Sequence, residues 1–247
     1  MIDIPKILHP FNATGKNIES LTRKAIFDFS MLQEVNSLAI ALSGGKDSLC
    51  LLYMLKAIIG KGTKNVKLCV IHIAENFSCR TSFEKDYLKN ICKYLDVKLY
   101  FEKINLNLKN LDCYSCARER RKALFKIAKK NGIDTIAFGH HKDDNIQTLL
   151  LNLFHKAEFE GMMPKIKFEA YDISIIRPLI YVEEQEIIKF AKAYNILRQM
   201  YKCPIGKTSK RNDIKNIIEQ IKLSFPHIKS NLSQSSFIYS TKKALKR

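Results

Sequence analysis

The sequence predicts an α/β fold built on a doubly wound parallel sheet, with an additional helix at the N-terminus. Short apolar runs alternate with segments of helical periodicity, which is the pattern of a parallel sheet covered by helices. A turn with two glycines directly follows the first apolar run, and a polar segment directly follows the fourth. Ligands of such sheets bind at the carboxyl ends of the strands, so these two segments mark the predicted binding edge.

The individual elements follow in chain order. Residues 15–32 carry apolar side chains at helical spacing, with Lys and Arg on the other face, and predict the N-terminal helix. The apolar run 38–42 predicts the first strand, and a buried helix that begins near Lys46 follows it. The remaining predicted elements are a strand at 66–73, a helix at 83–94, a strand at 97–104, a helix at 113–130, a strand at 135–138, a helix through Gln147 and Phe154, a strand at 173–176, a helix at 183–194 and a helix through Ile214 and Ile221.

The chain divides into three predicted parts. Residues 1–34 form an N-terminal helical extension, and residues 35–225 form the main domain, in which the cysteines lie. Residues 226–247 form a basic tail, rich in Ser and Lys from Ser230 onwards, whose end we expect to be mobile.

Several features predict a cytoplasmic protein with no membrane association. The N-terminus has neither a basic leader nor a continuous apolar segment, and no apolar run approaches the ~20 residues that span a bilayer. The chain has seven cysteines, an odd number, and no export signal, so a disulfide framework is not expected. Metal binding or redox chemistry is the better interpretation of the cysteines.

The charge balance favours a polyanionic partner. Lys and Arg together number 42 against 24 for Asp and Glu, which gives a net charge of +18. An excess of this size in 247 residues favours RNA over a small neutral metabolite. A general compositional bias is the alternative, because the chain is rich in Lys, Ile and Asn.

The turn after the first predicted strand has the composition of a phosphate-binding loop. Its residues are Ser43, Gly44, Gly45, Lys46, Asp47 and Ser48. Such a turn places backbone N–H groups and a helix N-terminus around one point, where the hydroxyls and Lys46 add further donors. Asp47 would repel a phosphate unless a divalent cation lay between them, so the sequence predicts a metal-associated polyphosphate. The alternative is a simple glycine turn before a core helix.

Cys113 and Cys116 form a C-x-x-C pair at the predicted start of a helix, where both thiols share one face and the helix dipole favours thiolate. Zinc sites, dithiol redox sites and iron-sulfur sites all use this spacing. Cys203 is the third candidate ligand, and His155 or His140 is the candidate fourth ligand of a zinc site. Cys50, Cys69 and Cys92 lie among apolar neighbours and are expected to pack in the core, whereas Cys79 is not assigned.

The segment after the fourth predicted strand places two histidines and two carboxylates at the same sheet edge as the phosphate loop. Gly139 and His140 are expected to line the nucleotide site. Either Asp143 or Asp144 is expected to hold Mg²⁺ on the bound polyphosphate or to act on the substrate, while the other aspartate caps the helix.

The motif Ser-Gly-Gly-Lys-Asp-Ser resembles that of the PP-loop (SGGxDS) ATP pyrophosphatase superfamily. Five ordered motifs, SGGKDS, C-x-x-C, GHHKDD-x-x-QT, G-x-x-P-K and I-x-R-P-L, are similar to those of the TtcA family of ATP-dependent tRNA 2-thiocytidine synthetases, over about residues 23–225. The resemblance implies the HUP-like (adenine nucleotide alpha hydrolase) form of the α/β fold. It also implies adenylation of C2 of cytidine 32 in the tRNA anticodon loop, followed by replacement of the oxygen with sulfur.

The resemblance also implies roles for individual residues. Residues 43–48 would bind the pyrophosphate part of ATP, with Lys46 among the catalytic residues, and Asp47 with Asp143 would serve Mg²⁺ and activation. The implied ligands of a catalytic [4Fe-4S] cluster are Cys113, Cys116 and Cys203. The expected partners are tRNA and a sulfur donor, which is a cysteine desulfurase or another protein, and a homodimer is left open.

Two other functions compete with tRNA thiolation. A PP-loop enzyme such as a lysidine synthetase would use the same ATP chemistry with an amine as nucleophile, but this leaves the three cysteines unexplained. A non-enzymatic RNA-binding protein with a zinc-stabilised cysteine cluster would leave the phosphate loop and the paired aspartates unexplained.

Overall fold

The computed structural model of the protein describes residues 4–59, 66–75, 81–106, 113–196 and 210–238, without the side chains at positions 75, 81–84 and 113. The strands of this part of the chain are β1 (Ser37–Ala41), β2 (Lys67–Glu75), β3 (Lys98–Ile104), β4 (Thr135–Ala137), β5 (Lys165–Phe168) and β6 (Ile173–Ile176). They form one six-stranded sheet in the order β3-β2-β1-β4-β6-β5.

The strands pair in parallel as predicted, apart from β5. β1 pairs in parallel with β2 and with β4, β2 with β3, and β4 with β6. β5 runs antiparallel to β6, and the two are joined by a single 3₁₀ turn, Glu169–Tyr171, and by Asp172 in the left-handed conformation. The sequence analysis did not predict β5, because its four residues alternate Lys with apolar side chains over too short a stretch to be separated from the preceding loop.

The helices match the predicted segments closely, with one addition and with α1 ending four residues before its predicted end at residue 32. In chain order they are α1 (Ala13–Asp28), α2 (Lys46–Ile59), α3 (Thr81–Tyr94), α4 (Cys113–Lys130), α5 (Lys142–Lys156), α6 (Glu184–Ala193), α7 (Lys210–Ser224) and α8 (Ile228–Ile238). α1 begins before the predicted position because the Asn12 side chain accepts a hydrogen bond from the Gly15 N–H at 2.8 Å and caps the helix. α8 lies in the segment predicted as a tail, whose end at 239–247 is outside the described residues.

The sheet buries an apolar layer on each face. On β1, Leu38 and Ile40 belong to the cluster formed with α1, α2, α3 and α6, whereas Ala39 belongs to the cluster that includes Leu124 and Phe125 of α4. This alternation is the period-two pattern of a strand covered on both sides. α1 packs into the same core as β1. The division of the chain into three parts stays a prediction. Among the described helices, none has both the length and the apolar character that crossing a bilayer requires.

The strand order positions the ligand-binding edge. From β1 the chain proceeds outward to β2 and β3, and it then returns to the other side of β1 at β4. The connections therefore leave β1 and β4 in opposite directions, which opens a crevice beyond their carboxyl ends. The predicted phosphate loop follows β1 and the Gly139 segment follows β4, so the topology brings both to this crevice.

Asn145 ties three segments together beneath this edge. The side chain is fully buried on α5. Its Oδ1 accepts a hydrogen bond from the Met162 N–H at 2.6 Å, and its Nδ2 donates to Ser236 Oγ of α8 at 2.9 Å. A single side chain thus connects α5, α8 and the loop that leads into β5.

Replacing Asn145 with alanine is expected to lower the free energy of unfolding by about 1–3 kcal/mol, because the partly buried Met162 N–H would lose its acceptor. Urea unfolding measures this change. Asn131→Ala is the matched control, since Asn131 donates to the Ile127 carbonyl at 2.8 Å at the exposed end of α4 and its loss is expected to cost less than about 0.5 kcal/mol. Equal losses in the two variants would contradict the proposed role of Asn145.

Candidate active site

The loop after β1 forms a cradle at the start of α2. The Ser43 N–H donates to Ser48 Oγ at 3.2 Å, and the Oγ atoms of the two serines lie 3.0 Å apart. The Ser48 hydroxyl lies 3.0 Å from the Gly45 carbonyl oxygen. Gly44 has a φ of 83°, a conformation that glycine adopts without strain. The serines therefore fix the loop, and the first N–H groups of α2 lie at its end, as an anion site requires.

The segment after β4 packs directly against this loop. A Cβ added to Gly139 would lie 3.0 Å from the Asp47 carbonyl carbon and 3.0 Å from the Ser48 nitrogen. Both are backbone atoms, which cannot move aside cheaply. Glycine at position 139 therefore allows the two segments to approach each other, and they lie at the same edge of the sheet, as predicted.

A cavity of about 350 Å³ opens between these two loops and α4. It is lined by Ala41, Leu42, Ser43, Asp47, Ser48, Ile71, Ile73, Ala117, Arg120, Arg121, Leu124, Phe138, Gly139, His140 and Asp144. The cavity therefore combines the phosphate loop, one carboxylate from the first turn of α2 and one from the first turn of α5, and a face of α4 that carries two arginines.

The Lys46 ammonium lies between two carboxylates. Lys46 is only 8% exposed. Its Nζ donates to Asp47 Oδ1 at 2.9 Å and to Glu184 Oε1 of α6 at 3.2 Å. Burial alone would lower the pKa of Lys46, but attraction to Asp47 and Glu184 outweighs it and raises the pKa above its usual value. Lys46 is thus a fixed positive charge at the phosphate loop.

The two neighbouring aspartates on α5 have different environments. Asp144 lines the cavity, and its Oδ2 accepts the His141 N–H at 3.1 Å, which caps α5. Asp143 is nearly buried, its Oδ2 accepts the Glu184 N–H at 2.7 Å, and its Oδ1 lies 3.2 Å from Lys229 Nζ. The structure therefore brings Asp144 to the cavity and directs the oxygens of Asp143 to α6 and α8.

His141 links the carboxylates of the two loops. Its Nε2 lies 3.3 Å from Asp144 Oδ2 and 3.9 Å from Asp47 Oδ1. The ring itself is buried. Asp47 and Asp144 thus approach the same imidazole nitrogen, and this places the two cavity carboxylates near each other.

His140 is an uncharged group on the cavity wall. Its ring stacks on Phe138 with 5.6 Å between centroids. Burial, together with the positive charges of Arg177 and Arg211, lowers the pKa of His140 to about 3. Its Nδ1 is buried without a hydrogen-bond partner in the described part of the chain. A neutral imidazole with an unused nitrogen can form a hydrogen bond with a ligand in the cavity.

The cysteines fall into two groups. Cys50, Cys69 and Cys92 are buried and have free thiols, as predicted, and burial raises the pKa of Cys92 to about 12. Cys116 is half-buried on the first turns of α4, directly before the cavity residue Ala117. The side chain of Cys113 and all of Cys203 lie outside the described residues, so the predicted three-cysteine cluster is not tested there. Within the described residues, no group of three or more His, Cys, Asp or Glu side chains is arranged to hold a metal.

Arg120 and Arg121 line the cavity wall, a position that the sequence analysis did not predict. With Ala117 and Leu124 they form one stripe of α4 that faces the cavity. The helical spacing of this stripe, which continues the face of Cys113 and Cys116, is the sequence signal that would have found it. Glu184 was also missed, because it is 138 residues from Lys46 and no local pattern connects the two.

Comparisons with known proteins are consistent with this site. A family model described as a PP-loop domain matches residues 15–221. The chain is 32% identical over 225 residues to the tRNA-cytidine(32) 2-sulfurtransferase of Syntrophotalea carbinolica, covering 88% of this chain and 86% of that protein. It is 30% identical over 228 residues to the Geobacter sulfurreducens protein of the same name, covering 90% and 89% of the two chains.

One solved structure has the same overall fold. The U34-tRNA thiolase NcsA from Methanococcus maripaludis, solved with its [4Fe-4S] cluster, superposes with a TM-score of 0.74 at 22% identity and covers 96% of this chain and 88% of its own. At that level of identity the likeness establishes the fold.

Proposed function

We propose that this chain, which belongs to the PP-loop family and within it to the tRNA-cytidine(32) 2-sulfurtransferases, uses ATP to replace the C2 oxygen of cytidine 32 in a tRNA anticodon loop with sulfur. The shared cavity is the observation that supports this proposal most. The phosphate loop and two carboxylates line one space together with a face of α4, and the Cys116 thiol directly precedes that face in the sequence. ATP-dependent thiolation requires these three components at a single reaction centre.

ATP is expected to bind with its phosphates at residues 43–48. The N–H groups at the start of α2 and the ammonium of Lys46 would stabilise the charge of the pyrophosphate as it leaves. In the first step the cytidine O2 attacks the α-phosphorus and pyrophosphate departs. In the second step sulfur bonds to C2, the C2–O bond breaks, and AMP is the leaving group.

The carboxylates of the cavity fit the donor preferences of Mg²⁺, which binds oxygen ligands. Asp47 is the first ligand in the proposal, since its side chain is 31% exposed at the phosphate loop. The sequence analysis named Asp143 as the second carboxylate. We assign this role to Asp144, because it lines the cavity while the Asp143 oxygens bind the Glu184 N–H and Lys229. Bound Mg²⁺ would supply charge neutralisation to the phosphates.

The start of α4 fits one side of an iron-sulfur site. Cys113 and Cys116 have the C-x-x-C spacing that brings two thiols to one face of a helix, and thiolates are the usual ligands of such clusters. Cys203 is the proposed third ligand. A [4Fe-4S] cluster held by these three residues would supply one iron with an open position for the incoming sulfur.

The arginines of α4 are proposed to receive the tRNA. Arg120 and Arg121 line the cavity, and Arg118 and Lys122 lie on the same helix. Phosphate contacts by Arg and Lys would position the anticodon loop, from which an unpaired cytidine can turn into the cavity. We propose that the protein acts in the cytoplasm with a cysteine desulfurase or another protein as sulfur donor.

The test is an anaerobic reaction of the protein with tRNA, ATP, Mg²⁺ and sulfide, followed by mass spectrometry of the digested nucleosides. We expect 2-thiocytidine at position 32, with one AMP and one pyrophosphate formed per modified base. A matched tRNA that carries uridine at position 32 should yield neither the thionucleoside nor pyrophosphate. Formation of an amine adduct, or pyrophosphate release that ignores tRNA, would contradict the proposed reaction.

A further inference from the structure

The ion pair between Lys46 and Asp47 competes with the binding of MgATP. Its ammonium donates to both oxygens of Asp47, at 2.9 Å and 3.1 Å. Asp47 is also the proposed ligand of the cation that accompanies ATP, and a carboxylate that is bridged on both oxygens by an ammonium is a poor ligand for a cation. Binding of MgATP therefore requires Lys46 to release Asp47.

Glu184 provides the alternative partner for Lys46. Its Oε1 accepts from Lys46 Nζ at 3.2 Å, while its Oε2 accepts from Lys215 Nζ of α7 at 3.0 Å. The side chain is 21% exposed, and its backbone N–H is anchored to Asp143 Oδ2 at 2.7 Å. Glu184 is thus held from α5 and α7 and presents one oxygen to the phosphate loop.

We propose that Glu184 is a positioning residue, which holds the Lys46 ammonium at the phosphate loop and thereby frees Asp47 for the cation bound with ATP. The proposal rests on the proposed function, since it assumes that the loop binds MgATP. Glu184 acts through Lys46 and does not itself touch the nucleotide.

The charge state of Glu184 supports this role. Burial alone would raise the pKa of Glu184, but the hydrogen bond from Lys215 and attraction to Lys46 outweigh it and lower the pKa to about 2. The residue is therefore ionised at neutral pH. Without this carboxylate, Asp47 would be the acidic partner of Lys46 that remains among the described residues, and the ammonium would compete more strongly with Mg²⁺.

The proposal is tested by calorimetric titration of MgATP into the full chain and into Glu184→Gln. We expect the variant to bind MgATP about five- to tenfold more weakly, which corresponds to about 1–1.4 kcal/mol and to the net contribution of one typical hydrogen bond, and to need more Mg²⁺ for half-maximal binding. Glu183→Gln is the matched control, since it removes the same charge one residue earlier, where Glu183 pairs with Lys142 at 2.9 Å. Its affinity should stay within about twofold of the parent.

A double-mutant cycle separates positioning from a structural effect. In a Lys46→Met background, Glu184→Gln should weaken MgATP binding by less than about twofold, because Glu184 acts through Lys46. An equal loss in both backgrounds, or unchanged affinity in the single variant, would overturn the proposal. Should Glu184→Gln fail to fold, Glu184→Asp retains the charge, shortens its reach and should weaken binding about two- to threefold, whereas unchanged affinity would overturn the proposal.

The titration needs neither tRNA nor sulfur, so the two proposals can fail separately. A parent protein that binds MgATP but forms no 2-thiocytidine would contradict the proposed function. The titration of Glu184→Gln would still test whether Glu184 supports MgATP binding. A parent that does not bind MgATP would contradict both.

Discussion

Replacing Cys116 with serine is expected to reduce 2-thiocytidine formation by about a hundredfold or more, while MgATP binding stays within about twofold of the parent. The substitution removes a thiolate and leaves a hydroxyl, which at neutral pH is neither a good ligand for iron nor a donor of sulfur. Cys116 lies on α4, whereas the nucleotide is expected at the loop after β1. Sulfur transfer and ATP binding should therefore respond differently to the same change.

The control for Cys116→Ser is a cysteine that lies far from the site. Cys92 is buried on α3 in the main core and is 2% exposed. Cys92→Ala should lower the free energy of unfolding by about 1 kcal/mol through lost packing and leave thiolation near the parent level. Iron and acid-labile sulfide, measured on anaerobically purified protein, should fall in Cys116→Ser and remain in Cys92→Ala. Full thiolation by Cys116→Ser would exclude this thiol from the reaction.

Sequence reasoning worked where local pattern and tertiary environment agree. The helix at Cys113–Lys130 has its predicted bounds, because its basic and apolar residues alternate at helical spacing over many turns. The loop at 43–48 was predicted because two glycines between hydroxyl residues after a buried strand restrict the backbone to few conformations. Gly139 was predicted on the same edge because strands that alternate with helices form a parallel sheet, in which the carboxyl ends of the strands meet at one edge.

The missed features depend on partners far apart in the chain. β5 is stabilised by pairing with β6, and α8 by packing against α5, so neither short segment carries a strong pattern of its own. The sequence does not distinguish the adjacent residues Asp143 and Asp144, because only their contacts in the fold decide which one lines the cavity. Asp143 is drawn away by the Glu184 N–H and Lys229, which follow it by 41 and 86 residues in the numbering.

Replacing Gly139 with alanine is expected to weaken MgATP binding by about tenfold or more and to lower the free energy of unfolding by about 1–3 kcal/mol. The added methyl would lie 3.0 Å from both the Asp47 carbonyl carbon and the Ser48 nitrogen. Those atoms belong to the start of α2, so relief of the overlap must displace the phosphate loop. The affinity for MgATP should therefore fall by more than the loss of stability alone explains.

Gly132→Ala is the control that separates these two effects. Gly132 follows α4 at a φ of +64°, and in the described part of the chain no atom other than those of its chain neighbours lies within 4 Å of an added Cβ. Alanine in this conformation should cost about 1 kcal/mol of stability, yet the position is remote from the phosphate loop and MgATP affinity should stay within about twofold of the parent. Calorimetric titration and urea unfolding of both variants give the comparison. If Gly139→Ala bound MgATP as tightly as Gly132→Ala, the two loops could separate without cost, and the close approach at Gly139 would not be what shapes the nucleotide site.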